Sequence, residues 1–221
     1  MKTNLLKISI ILSVLTIIYL ILSYSGIIRY ISLHCKETLN LAEKYGNKTK
    51  SQHFKNNKTI VTMFSNDLFK ENLKPVINSI LDQSVKVDSI LLFTSQETEN
   101  KYLPEHIKYA VNVIKNEVNY GYGNNIIPAI FKEKEEGVII IPIENKIYGE
   151  DYIETLLDKS VEKQLSQIFN QNNDLVLIKI DNLDNKFLEK NNKEYSKDWF
   201  FKNILNKNKI EYNDIKKCLF T

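Results

Sequence analysis

Residues 137–152 read GVIIIPIENKIYGEDY. An unbroken apolar run, 138–143, passes through the polar triplet Glu144-Asn145-Lys146 and into an acidic helix start after Gly149. A continuous apolar run bounded by turn signals is the pattern of a strand covered on both faces, and such strands belong chiefly to parallel sheets. The triplet at its carboxyl end holds one carboxylate and one ammonium.

The same alternation continues on either side. Residues 59–64 (TIVTMF) form a β-branched, apolar run bounded by polar residues, the pattern of a strand. Phe69, Leu73, Val76, Ile77, Ile80 and Leu81 then fall at helical spacing on one face, with Pro75 kinking that helix or marking its first turns. Residues 88–93 (DSILLF) and 109–114 are expected as the second and third strands, and 137–143 as the fourth. An amphipathic helix is predicted over 150–169, with Ile153, Leu156, Leu157, Val161, Leu165 and Ile168 along one side, followed by a strand at 174–180 (DLVLIKI). Beyond Asp181 the chain is polar and helix-prone, with Trp199, Phe200, Phe201 and Ile204 as a docking patch.

Apolar strands separated by helices predict an α/β fold, a mainly parallel sheet of Rossmann type with flanking helices. Ligands of such sheets bind outside the carboxyl ends of the strands. That rule gathers Ser65–Asp67, Thr94–Ser95, 116–123 and 144–146 around one crevice.

Residues 8–28 carry no charge and are dense in Ile, Leu and Val. At about 1.5 Å per residue they reach roughly 31 Å, the thickness of a bilayer's hydrocarbon core. Tyr19, Tyr24 and Tyr30 cluster toward the far end, as interfacial aromatics do. A cleaved signal peptide is the alternative, with Ser23 and Ser25 at cleavage spacing, but its apolar region would exceed the usual length of about 7–15 residues. Residues 1–28 are therefore expected as a short tail and transmembrane anchor, 29–58 as a polar stem with a helix near 39–44, and 59–221 as the α/β domain.

Lys2 and Lys7 precede the apolar run while Arg29, Lys36 and Lys44 follow it, so charge alone leaves the orientation open. The acceptor sequons at Asn47 and Asn57 lean toward a type II arrangement with the C-terminal domain in a secretory lumen. Cys35 and Cys218 either pair there or remain free. His34, His53 and His106 show no metal-ligand spacing and are read as surface residues. Nucleic acid is an improbable partner. Net charge is only +3, and Arg29 is the sole arginine among 30 basic residues that are interspersed with acidic ones.

Two segments carry a family resemblance: YGYGNNIIPAI (120–130) and VIIIPIENKIY (138–148). Together they resemble a group of GT-A-type glycosyltransferases. In that group a Tyr-Gly-Pro-x-x-Lys-Leu-x-Pro segment precedes a strand ending in Asp-Asp-Asp-x-x-Tyr. The front of the domain is similar too, with LKPVINSILDQ (73–83) before VDSILL (87–92). The resemblance covers about 59–158 and implies transfer of a sugar from a nucleotide-sugar donor. Tyr120 and Gly121 match the Tyr-Gly, and Asn125 falls where the family's lysine approaches the diphosphate. Glu144, Asn145 and Lys146 fall on the aspartate triplet, and Tyr148 on the tyrosine after it. With Ser65 and Thr94 at neighbouring strand ends, these are the candidate nucleotide-sugar residues.

The departures change the chemistry. The family places Mn²⁺ or Mg²⁺ at the triplet, but Glu144 is the only carboxylate left to hold a hard cation, and a protonated Lys146 would repel one. Lys146 either neutralises a diphosphate in place of the metal, with Asn125 donating a neutral hydrogen bond, or is merely solvated. No base is singled out among Asp181, Asp184, Glu194 and Asp198, although Asp198 adjoins Trp199. Three readings stay open: an anchored transferase, a non-catalytic binding or structural protein that keeps the fold, and an unrelated α/β domain.

Overall fold

The computed structural model of the protein describes residues 2–69, 72–95, 103–133, 137–162, 167–169 and 175–180. Three helices lead: α1 (Lys2–Tyr24), α2 (Ile27–Cys35) and α3 (Thr38–Gly46), then a 3-10 turn at Gln52–Phe54. The alternating part follows as β1 (Thr59–Phe64), α4 (Leu73–Leu81), β2 (Ser89–Thr94), α5 (Glu105–Lys108), β3 (Asn112–Lys115) and α6 (Ile127–Lys132). After these come β4 (Ile139–Pro142), α7 (Tyr152–Glu162), β5 (Gln167–Phe169) and β6 (Leu175–Lys179).

The sheet order is β3-β2-β1-β4-β6-β5. Strands β1 to β4 are mutually parallel, with Val61 opposite both Ile90 and Ile141. β6 runs antiparallel to β4, and β5 antiparallel to β6. This is the expected mainly parallel sheet, and its strands lack polar alternation because both faces are covered. Val61, Met63, Leu92, Ile139 and Ile141 face one layer with α4 and the start of α7. Ile60, Leu91, Phe93, Ile140 and Ile178 face the other, against Ile127 and Ile130 of α6.

Several expectations are corrected. The helix predicted over 150–169 ends at Glu162, and Gln167–Phe169 is a strand. Val161, placed on its buried side, is exposed, and so is Phe69, which precedes α4 rather than starting its apolar face. Pro75 sits in the first turn of α4, where no intrahelical N–H is lost. The third strand begins at Asn112, not Tyr109. Leu165, Cys218, the carboxylates from Asp181 onward and the Trp199 patch lie outside the described residues.

Residues 29–58, polar enough to read as a stem, are folded onto the sheet's helical layer. Leu41, Tyr45 and Phe54 enter the same core as α4, and Leu33 has no exposure. A single buried amide secures the junction between α2 and α3. Asn78 of α4 donates to the carbonyls of Leu33 (2.7 Å) and Lys36 (3.1 Å) and accepts from the Thr38 hydroxyl (2.8 Å).

α1 is different in kind. Leu6–Tyr24 is long and apolar enough to cross a membrane and none of it is buried. The helix stops where Gly26 takes a left-handed conformation (φ 75°), which costs glycine little. Residues 26–28, counted with the apolar run in sequence, thus belong to the turn and to α2.

Candidate functional site

β1 lies at the point where chain order reverses: β2 and β3 are added on one side of it, β4 on the other. Loops leaving β1 and β4 at their carboxyl ends therefore diverge and leave a crevice between them. A cavity of about 300 Å³ occupies it, lined by Ser65, Asn66 and Asp67 on one side and Glu144 and Asn145 on the other. A second, of about 220 Å³, adjoins it between Asn124–Asn125 and Ile143–Glu144 and shares Phe64 and Glu144 with the first. The first reaches the lower end of small-ligand sites, which run to roughly 300–1,000 Å³, and the second is smaller.

Each wall is braced locally. Ser65 accepts from the Asp67 N–H and donates to the Asp67 carbonyl (2.7 Å), while Asp67 caps the Phe69 N–H (2.9 Å). The Ser95 hydroxyl donates to Asn66, closing the loops after β1 and β2 on each other. Opposite, asparagines hold the 116–125 loop. Asn124 accepts from the Tyr120 N–H (2.7 Å) and donates to Asn119, and Asn116 donates to the Asn124 carbonyl. Gly121, at φ 59°, makes the reversal possible. The Tyr120 ring lies against Phe131, and partial burial, reinforced by Glu117, raises its hydroxyl's pKa.

The triplet is self-neutralised. The Lys146 ammonium lies 2.5 Å from the Glu144 carboxylate, with both side chains nearly half exposed. Tyr148 is buried. Its hydroxyl accepts the Glu144 N–H (2.8 Å), and its own N–H reaches the Ser79 hydroxyl. Gln83 of the same α4 segment donates to the Gly149 carbonyl and accepts from the Ile153 N–H (2.9 Å). The polar members of the SILDQ pattern thus hold the segment after the triplet to the helix. Asn125 makes a long contact, 3.5 Å, to the Ile143 carbonyl at the crevice edge.

The candidates accordingly divide. Ser65, Asn125, Glu144 and Asn145 line the crevice, and Gly121 shapes its edge. Lys146 lines neither crevice cavity and borders a separate one beside α2, although it pairs with the crevice-lining Glu144. Thr94 is wholly buried, and Tyr148 serves the backbone of the triplet. Glu144 and Asp67 are the carboxylates of the crevice, Glu144 is paired with Lys146, and among the described residues no three His, Cys, Asp or Glu converge.

Sequence reasoning missed Asn66, Asp67 and the asparagine brace as individuals, because Asn is abundant throughout the chain. It also missed Arg29, whose signal was its uniqueness. Its guanidinium donates to the Tyr148 carbonyl (3.1 Å) and pairs with Asp82 (3.0 Å) and Glu150 (2.7 Å), joining α2 to the segment that follows the triplet.

Fold and crevice together define a mainly parallel α/β protein with a crevice at its switch point and an apolar leading helix. Among solved structures the chain is similar to S. aureus TarS 1-349, at 16% identity and a TM-score of 0.37, over 51% of this chain and 35% of that one. A mycobacterial protein is similar at 11% identity and a TM-score of 0.37, over 61% of this chain and 44% of the other. The chain thus spans less than half the length of either structure. No protein-family model and no curated protein matches it.

Proposed function

We propose that the chain is a membrane-anchored, glycosyltransferase-like protein whose switch-point crevice takes the diphosphate of a nucleotide sugar without a metal. The observation that carries this reading is the Glu144–Lys146 pair, whose carboxylate lines the crevice. An ion pair this exposed contributes about 0–1 kcal/mol, so a diphosphate can draw Lys146 away from Glu144 at little cost. Lys146 would then supply the counter-charge that the resembling family draws from a cation, with Asn125 as a neutral donor.

Thermal unfolding of the full chain with UDP or GDP, with and without Mn²⁺, tests the reading. A metal-independent rise in Tm is expected. Lys146→Ala should abolish it, and Glu144→Gln, which frees the ammonium, should enlarge it. If neither nucleotide shifts Tm under any condition, the alternative stands: a non-catalytic anchored protein that keeps the fold. That alternative draws on the same pair, since mutual neutralisation also suits a retired site.

The orientation proposed is type II, with the domain in a secretory lumen. The two sequons differ in access. Asn47 is exposed just past α3, whereas Asn57 is half-buried and donates to the Gly137 carbonyl (2.9 Å). A glycosidase-sensitive mobility shift removed by Asn47→Gln is expected in a secretory host. Its complete absence would count against the lumenal placement.

A further inference from the structure

A further cavity lies outside the crevice. About 440 Å³ lies between the turn after α1, the start of α4 and the far end of the triplet loop. Gly26, Ile27 and Tyr30 form one wall, Pro75 and Val76 a second, and Ile147 the floor toward Lys146. The lining is mostly carbon, with Ser25, Asn72 and Asn145 as neutral polar members and Lys146 as its one charged residue. An apolar trough with a single cationic end is complementary to an amphiphile with an anionic head.

Position says which amphiphile. Gly26 immediately follows the apolar helix, and the outer surface leading there is exposed and apolar through Tyr24, Ile27 and Ile31. With Leu6–Tyr24 in a bilayer, the cavity opens at the level of the headgroups, where a lipid chain can enter without crossing water. Arg29, paired with Asp82 and Glu150, holds α2 against the segment after the triplet and so keeps this wall in place.

We propose that this cavity binds an anionic phospholipid drawn from the surrounding bilayer, with an acyl chain along Ile27, Pro75 and Val76 and the phosphate at Lys146. The proposal rests on the anchor reading but not on nucleotide binding. It gives the crevice a lipid neighbour, because Asn145 borders both spaces. Lys146 then has two anionic claimants besides its partner Glu144, and the lipid head and a diphosphate compete for one ammonium.

The test uses the full chain in phosphatidylcholine nanodiscs doped with a phosphatidylglycerol that carries a photoreactive group near the carboxyl end of its acyl chain, with the labelled peptides mapped by mass spectrometry. Labelling is expected on α1 and also on the peptide containing Pro75 and Val76. The second signal should fall several-fold when the photoreactive lipid is a phosphatidylcholine, or in Lys146→Ala. Ile27→Trp, which fills the mouth, should remove it, whereas Ile31→Trp, on the same helix but outside the cavity, should not. Labelling confined to α1 would overturn the lipid site and leave the anchor standing. Labelling of neither would overturn both. Equal labelling of the α4 peptide by the two lipids would overturn the anionic preference and Lys146's role. Nucleotide-induced Tm shifts report separately on the crevice, so either reading can fail alone.

Discussion

α1 and the segment that follows it invert the usual relation between polarity and position. Leu6–Tyr24 is apolar on every side and nowhere buried, whereas residues 27–54 are largely polar and anchored in the core. Hydrophobicity spread round a helix has no single partner face and suits a bilayer. The later segment concentrates apolar burial in Leu33, Leu41, Tyr45 and Phe54, buries Thr38 and Ser51 beside them, and leaves most of its remaining surface to water. A few anchors and one satisfied amide are enough to make a polar stretch integral to a fold. Average composition does not reveal this.

The comparison breaks most visibly under truncation. Removing residues 1–24 should leave the domain's unfolding midpoint nearly unchanged in detergent. Removing 1–56 withdraws all four anchors, worth about 2 kcal/mol each and so of the same order as a domain's whole stability of about 5–15 kcal/mol. Cooperative unfolding by circular dichroism is expected to survive the first deletion and vanish in the second. If the shorter chain still unfolds cooperatively with an unchanged midpoint, 29–58 is a stem after all.

Asn78→Ala sharpens the same point at one atom group. It strands the carbonyls of Leu33 and Lys36 and the Thr38 hydroxyl in a buried place, for a loss of about 3 kcal/mol. Leu12→Asn in α1 should leave the domain's stability unmoved and, with α1 as the proposed anchor, weaken only membrane retention. Chemical denaturation of both variants, side by side, decides it.

Arg29→Lys should cost less, about 1–2 kcal/mol. Lysine keeps the charge but cannot span the Tyr148 carbonyl and two carboxylates with one planar fork, and Lys36 still holds Asp82 at 3.2 Å. A stability equal to the parent's would show that the join between α2 and the triplet's flank depends on charge alone.

The parts of the fold legible in sequence were those where one pattern ran unopposed. TIVTMF, SILLFT and IIIP are continuous apolar runs, and doubly covered strands produce that signature almost unaided. The helix after Tyr152 was legible at its start and not at its end. Apolar residues continue at helical spacing through Leu165 and Ile168, yet pairing with β6 claims Gln167–Phe169 as a strand, and pairing is invisible to a local window. For the site, the switch-point rule located the crevice. It could not separate side chains that line the crevice, such as Asn125 and Glu144, from Thr94 and Tyr148, which turn inward at the same strand ends. For Tyr148 that distinction depends on neighbours brought by α4 from far along the chain, Ser79 on its own N–H and Gln83 on the segment after it.

The smallest effect lies on the packed side of the comparison, at His106 in α5, which was expected at the surface. Its Nε2 is buried without a hydrogen-bond partner, and burial, helped by Lys74 of α4, lowers its pKa below the usual value near 6.5. A base held below its unfolded value binds fewer protons in the fold than in the unfolded chain. Its contribution to stability is therefore fully present above about pH 6.5 and is lost as pH falls from there through the lower folded value. Carboxylates titrate lower down, so the signal is the difference between the parent and His106→Gln. The parent's Tm should fall relative to the variant's as pH drops from 7 to 5, and the gap should close again above pH 7. α1 contributes nothing to this term, since Leu6–Tyr24 is unburied and its one ionisable cation, Lys7, stands at the exposed end of the helix. The same pH series on a chain lacking residues 1–24 should therefore overlay the parent's. A difference between those two curves would mean that the exposed helix is coupled to the core it leaves behind.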